Sequence, residues 1–177
     1  MAHKIQVILA KEKIIEKFCK NWVHAQKLIL PQGFALIPLK INLLKDINEL
    51  NKNNNIKPYK EFIHLSSSLQ ELLIAESVCC KIAYLETEYI GGNGKQSVIL
   101  YSNKEIIGPF STVTEWNDKK LEIKDKPEGE RAINKILYKM QVSSKYRDEF
   151  SALGLDYLIS NNKIITKINE KKEKQTL

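Results

Sequence analysis

Apolar and polar residues follow two different rhythms along this chain of 177 residues, and the rhythm changes where the elements should change. Residues 5–9, Ile-Gln-Val-Ile-Leu, make a compact apolar run that predicts a first strand. From 11 to 22 the apolar positions Ile14, Ile15, Phe18 and Trp22 return at the spacing of a helix face. Residues 27–30 and 34–39 flank Pro31, Gln32 and Gly33, so they read as a hairpin. Leu43, Leu44, Ile47 and Leu50 form one stripe and place a second helix over 43–50. Residues 51–57, with four asparagines, break both periods and predict a polar connector. Residues 62–65 read as a short strand or an extended entry to a third helix. That helix should start at the serines 66–68 and run to about Cys80, because Glu71 stands at capping-box spacing from Ser68.

The next segments predict a meander over 82–90, 97–101 and 105–110. Its first turn holds Gly91, Gly92 and Gly94, three of the chain's seven glycines, and glycine reaches positive φ without steric cost. The second turn is residues 102–104. Beyond it, 121–123 has strand character, and 128–140 is helical with Ala132, Ile133, Ile136, Leu137 and Met140 inward. Residues 146–153 predict a helical turn or two closed by Gly154, and 164–168 is weakly strand-like. The last nine residues, rich in lysine and glutamate, read as a mobile charged tail. Six or so strands and four helices in mixed order predict an α+β fold: a single domain over 1–168, with helices packed on a largely antiparallel β-sheet and a tail over 169–177.

Composition narrows the class without choosing a reaction. An apolar share of 43% with 28% charged residues is that of an ordinary globular chain. No window holds the roughly 18 uncharged apolar residues of a membrane span. The apolar stretch near the N-terminus is about five residues and runs straight into Lys11-Glu12-Lys13, so it reads as a strand rather than a signal peptide. Three cysteines, two of them adjacent at Cys79 and Cys80, suit neither a disulfide framework nor a C-x-x-C metal knuckle. A reducing cytoplasm is the expected setting. The net charge of +7 comes largely from the first sixty residues, which hold eleven lysines against four acids. Only Arg131 and Arg147 carry the bidentate fork suited to gripping phosphates. The lysine faces therefore read first as solvated surface, with a nucleic-acid-binding face as the alternative.

Few residues assemble into chemistry. His3, His24 and His64 lie in separate segments with no metal-ligand spacing, so surface or capping roles are expected. Cys79 and Cys80 close an apolar helix and read as buried thiols. Neither a metal nor a cofactor is expected. Glu86 and Glu88, two apart, share one face of a strand. Such a pair serves either a metal-dependent hydrolase or nuclease, or the charged exposed face of an edge strand. Lys95 and Gln96 on the partner strand are the neighbours to expect. The glycine tip has N–H groups that could cradle a phosphate, but no helix starts after it and no Gly-Lys-Ser/Thr follows. Tyr84 shares the parity of the glutamates, whereas Tyr89 falls on the other face. A tyrosine beside carboxylates serves protein recognition or cross-strand pairing equally well.

The segment Tyr84-Leu-Glu-Thr-Glu-Tyr-Ile-Gly-Gly-Asn-Gly-Lys-Gln96 resembles a recurring bacterial pattern: two acids, an aromatic, then Gly-Gly-x-Gly-x-Gln. The likeness extends to Gly108-Pro109 at the end of a short edge strand, to the helix around Ala132–Leu137, and to Asp148-Glu-Phe-Ser-Ala-Leu-Gly-Leu155. The opening, including Gln32-Gly-Phe-Ala-Leu-Ile-Pro38-Leu39, fits as well, so the resemblance spans most of residues 3–155. At Asp156-Tyr-Leu-Ile159 the chain departs from the Arg/His-rich run and acidic-Trp finish common in that pattern. Proteins of this kind are similar to immunity proteins of bacterial toxin systems. The resemblance implies a cytoplasmic, non-enzymatic binding protein whose partner is a cognate protein toxin, a nuclease. Glu86, Glu88, Tyr89, Lys95 and Gln96 are the expected partner contacts.

Overall fold

A computed structural model describes residues 2–50, 56–91, 93–117, 120–124, 131–145 and 147–174. The strands are β1 (Ala2–Lys11), β2 (Leu28–Ile29), β3 (Phe34–Pro38), β4 (Lys81–Ile90), β5 (Asn93–Ser102), β6 (Glu105–Asn117) and β7 (Lys120–Lys124). They form one sheet in the order β2-β3-β1-β4-β5-β6-β7, and every neighbouring pair is antiparallel. The helices are α1 (Glu12–Asn21), α2 (Ile41–Leu50), α3 (Ser67–Glu76), α4 (Ala132–Lys139), α5 (Glu149–Ala152) and α6 (Asn161–Glu173).

The sheet is covered on both faces, which explains why its central strands read as continuous apolar runs. Val7, Ile8, Leu9 and Ala10 of β1 are all fully buried. Ile8, Ile37, Tyr84, Ile99 and Tyr101 face a layer built by α1, α2 and α3, with Phe18, Leu43, Ile47 and Leu69 as its apolar stripe. Val7, Leu9, Leu85, Val98 and Leu100 face the other layer, where α4 and α6 supply Ile133, Ile136, Leu137, Ile164 and Ile168. The α+β fold with helices on an antiparallel sheet stands as expected.

Several local expectations need correction. The third helix is capped by Ser66, whose hydroxyl accepts from Leu69 N; Ser68 lies inside the helix and is buried. With three serines in a row, the earliest able to cap lengthens the helix most. Residues 62–65 form no strand. Residues 164–168 belong to α6, which continues through 169–173 where a tail was expected. Ser160 caps that helix by accepting from Lys163 N, and Ile164 and Ile168, four apart, point into the core. Strand β6 runs well past Gly108-Pro109, and those two residues face Ile99 alone where the β5–β6 register shifts. That is the geometry of a bulge, where a proline's missing N–H costs no ladder bond. The connector 51–55, the start of the fourth helix at 128–130 and the final residues 175–177 lie outside the described residues.

The glycine tip is a two-residue connection, since Ile90 pairs with Asn93 and Tyr89 with Gly94. Gly94 lies within the strand and has a steric duty there: a Cβ on it would fall 2.0 Å from the Glu88 carbonyl oxygen.

Candidate functional site

Strand β4 is interior, between β1 and β5, so Glu86 and Glu88 do not decorate an edge. The pleat still sends both toward the α1–α3 side, but their surroundings differ completely. Glu86 is buried. Its Oε2 accepts from Ile63 N at 2.8 Å, and its Oε1 accepts from His64 N at 2.8 Å and from the Tyr84 hydroxyl at 2.5 Å. Its cross-strand partner Ser97 donates to the Glu61 carbonyl at 2.7 Å. Together they tie the loop 61–64 across the sheet and seat Phe62 and Leu65 in the core. The same burial, with the Glu86 charge second, pushes the Tyr84 hydroxyl well above its ordinary pKa.

One pleat further out the covering layer ends. The register sets Lys4, Glu88, Lys95 and Val113 side by side across β1, β4, β5 and β6. Lys4 Nζ donates to Glu88 Oε1 at 2.7 Å, with both side chains about half exposed. Ile90 follows on the same face and is 73% exposed. Glu88, Ile90, Lys95, Val113 and Glu115 line an open concavity of about 740 Å³. Alternating charge flanked by exposed aliphatic groups suits a protein surface of complementary pattern.

Tyr89 and Gln96 stand on the opposite face. Gln96 is buried; its Oε1 accepts from Ile133 N at 3.1 Å and its Nε2 donates to the Tyr89 hydroxyl at 3.1 Å. Thr112 Oγ1 accepts from Ala132 N at 2.9 Å. These two sheet residues cap α4, where Arg131 offers no side-chain cap. The five expected contact residues therefore divide three ways. Glu88 and Lys95 share the open face, Tyr89 and Gln96 serve the other layer, and Glu86 is an internal anchor. Lys4 and Val113 join the open face only through strand pairing, which no local pattern shows. Ile90 was within reach, since it keeps the parity of Glu88.

His24 and His64 are exposed, as expected, whereas His3 is half-buried. His3 bridges Thr87 Oγ1 and the Leu155 carbonyl, and His24 Nδ1 lies 2.6 Å from Asp46 Oδ2. The thiols depart from expectation: Cys79 is exposed at φ 57° beyond the helix end, and Cys80 is half-buried, donating to the Glu76 carbonyl. Among the described residues no three His, Cys, Asp or Glu side chains gather where a metal ion could sit, and no helix is long and apolar enough to cross a membrane. No protein-family model, curated protein or solved structure matches the chain.

Proposed function

We propose that this is a non-enzymatic binding protein that neutralises a cognate bacterial protein toxin by covering its active site, using the open end of the sheet as its docking face. One observation supports the reading above others. The Lys4–Glu88–Lys95–Val113 row lies on interior strands whose other face packs against the α4–α6 layer, so the backbone that carries the charged pattern needs no ordering at binding. A standard interface of about 800 Å² per partner, roughly 20–30 residues, would extend from this face over the adjoining loop, where Ile63 is also exposed. Co-expression with the product of the adjacent gene, followed by pull-down, tests it. A stable one-to-one complex is expected, and a chain that remains alone with every such neighbour contradicts it.

A second reading, a nucleic-acid-binding module, rests on lysines. Lys20 of α1 and Lys171 of α6 line one groove beside the β2 edge, and Lys167 and Lys174 line the groove behind it. None of these four pairs with an acid among the described residues. Retention on heparin that falls steeply with salt supports this reading; salt-independent or absent retention removes it. The metal-dependent hydrolase alternative asks Glu86 to leave three hydrogen bonds, and so has less support than either.

A further inference from the structure

The other end of β4, where Lys81 begins the strand, opens on a second cavity of about 610 Å³. That volume falls within the roughly 300–1,000 Å³ of small-molecule sites. Ile14 of α1 and Met140, just past α4, bring apolar groups to it from the two helical layers. Lys11, Lys13 and Lys81 stand around it. Two of these ammonium groups are already anchored. Lys11 Nζ lies 3.7 Å above the Phe34 ring and donates to the Gln32 carbonyl at 3.1 Å, and Lys81 Nζ donates to the Lys139 carbonyl at 2.8 Å. An ammonium has three N–H donors, so Lys81 keeps two and Lys11 one for a ligand while the position of each is already set. Glu12, the acid in the wall, lies 3.6 Å from Lys27 Nζ and is partly offset by it. The chain reverses three times at this wall, with left-handed backbone at Gly33, Cys79 and Gln141. For the two that are not glycine this conformation is uncommon and costs about 1 kcal/mol or more.

We propose that this cavity binds a small organic anion: an apolar aromatic or aliphatic body of roughly ten to fifteen heavy atoms carrying one acidic group. The lysines take the acid, and Ile14 and Met140 take the body. The site lies at the opposite end of β4 from Glu88, so it stands or falls separately from the docking face. Calorimetric titration of the full chain with 1-naphthoate, and with its neutral counterpart 1-naphthamide, tests the proposal. One equivalent of naphthoate is expected to bind at least tenfold more tightly than the amide. Lys81→Gln should weaken naphthoate at least fivefold, while Lys171→Gln leaves it unchanged. Lys81 also holds a backbone carbonyl, so Lys13→Gln serves as the second variant. Lys13 forms no ion pair among the described residues, and it is expected to show the same loss with an unaltered melting temperature. Equal affinity for acid and amide, unchanged affinity in both variants, or no binding at millimolar ligand overturns the proposal.

Discussion

Glu86 shows how much a single buried carboxylate can organise. Its two oxygens receive three donors, two of them backbone N–H groups of a loop that forms no secondary structure of its own. Glu86→Gln keeps the volume but turns an amide NH2 toward those donors. It should destabilise by about 2–3 kcal/mol, and a urea titration checks this; an unchanged midpoint would mean the loop is held by Phe62 and Leu65 alone. Tyr84 and Tyr101 offer a matched contrast. Both are buried and both hydroxyls are pushed upward in pKa by burial first, but Tyr84 has a hydrogen-bond partner, whereas the Tyr101 hydroxyl has none among the described residues. Tyr84→Phe should therefore cost about 1–2 kcal/mol, and Tyr101→Phe should be neutral or mildly stabilising. Tyrosine in the unfolded chain ionises near pH 10, and in the folded protein above it. The stability from keeping these hydroxyls neutral is complete below pH 10 and is lost as pH rises beyond it, by about 1.4 kcal/mol per pH unit for each tyrosine. Melting curves between pH 9 and 11 should fall less steeply for either phenylalanine variant than for the wild type. At this scale the sequence was misleading: two glutamates at equal parity looked equivalent, and only the loop over one of them makes them different.

Helix α6 replaces the weak strand expected over 164–168. Its isoleucines favour a strand by composition, yet Ile164 and Ile168 are four apart, and the polar Ser160-Asn161-Asn162 before them is a helix start. What secures it is a side chain imitating a strand. Asn161 Oδ1 accepts from Gln6 N at 3.0 Å, and its Nδ2 donates to the Gln6 and Leu39 carbonyls at 3.1 and 2.9 Å. It completes β1 near the point where pairing with β3 runs out at Val7 and Pro38. Asn161→Ala should cost about 2–3 kcal/mol by removing the partner of Gln6 N and of the Leu39 carbonyl, while the Gln6 carbonyl keeps Leu39 N. Amide exchange should then rise at Gln6 and through α6 before it rises in β4 or β5. Uniform loss of protection across the sheet would show instead that α6 is not a separate docking unit. In the meander, β5 begins four residues before the expected 97 and β6 runs seven beyond the expected 110. Its first strand and the succession of all three, by contrast, were legible, because alternation and turn chemistry are local. Order in the sheet was not, because the pairing of β1 with β4 joins residues more than seventy positions apart.

Across the whole molecule the two helical layers cover the sheet unevenly. The α4–α6 side reaches His3 and Tyr89, while the α1–α3 side stops at Glu86 and Ser97. That mismatch is what leaves Lys4, Glu88, Ile90, Lys95 and Val113 open on a rigid support. A chain of net charge +7 is drawn to an acidic partner surface and repelled by a basic one, so the proposed docking reading predicts that the surface it captures lies in an acidic region of its partner. The direct test is calorimetric titration of the adjacent gene's product with the wild type and with a Lys4→Glu, Glu88→Lys, Lys95→Glu variant. The docking account predicts one-to-one binding by the wild type and at least a hundredfold loss in the reversed variant, about 2.7 kcal/mol, with the melting temperature of the free chain changed by no more than a few degrees. Equal affinity for both chains, or loss only in step with unfolding, would contradict it.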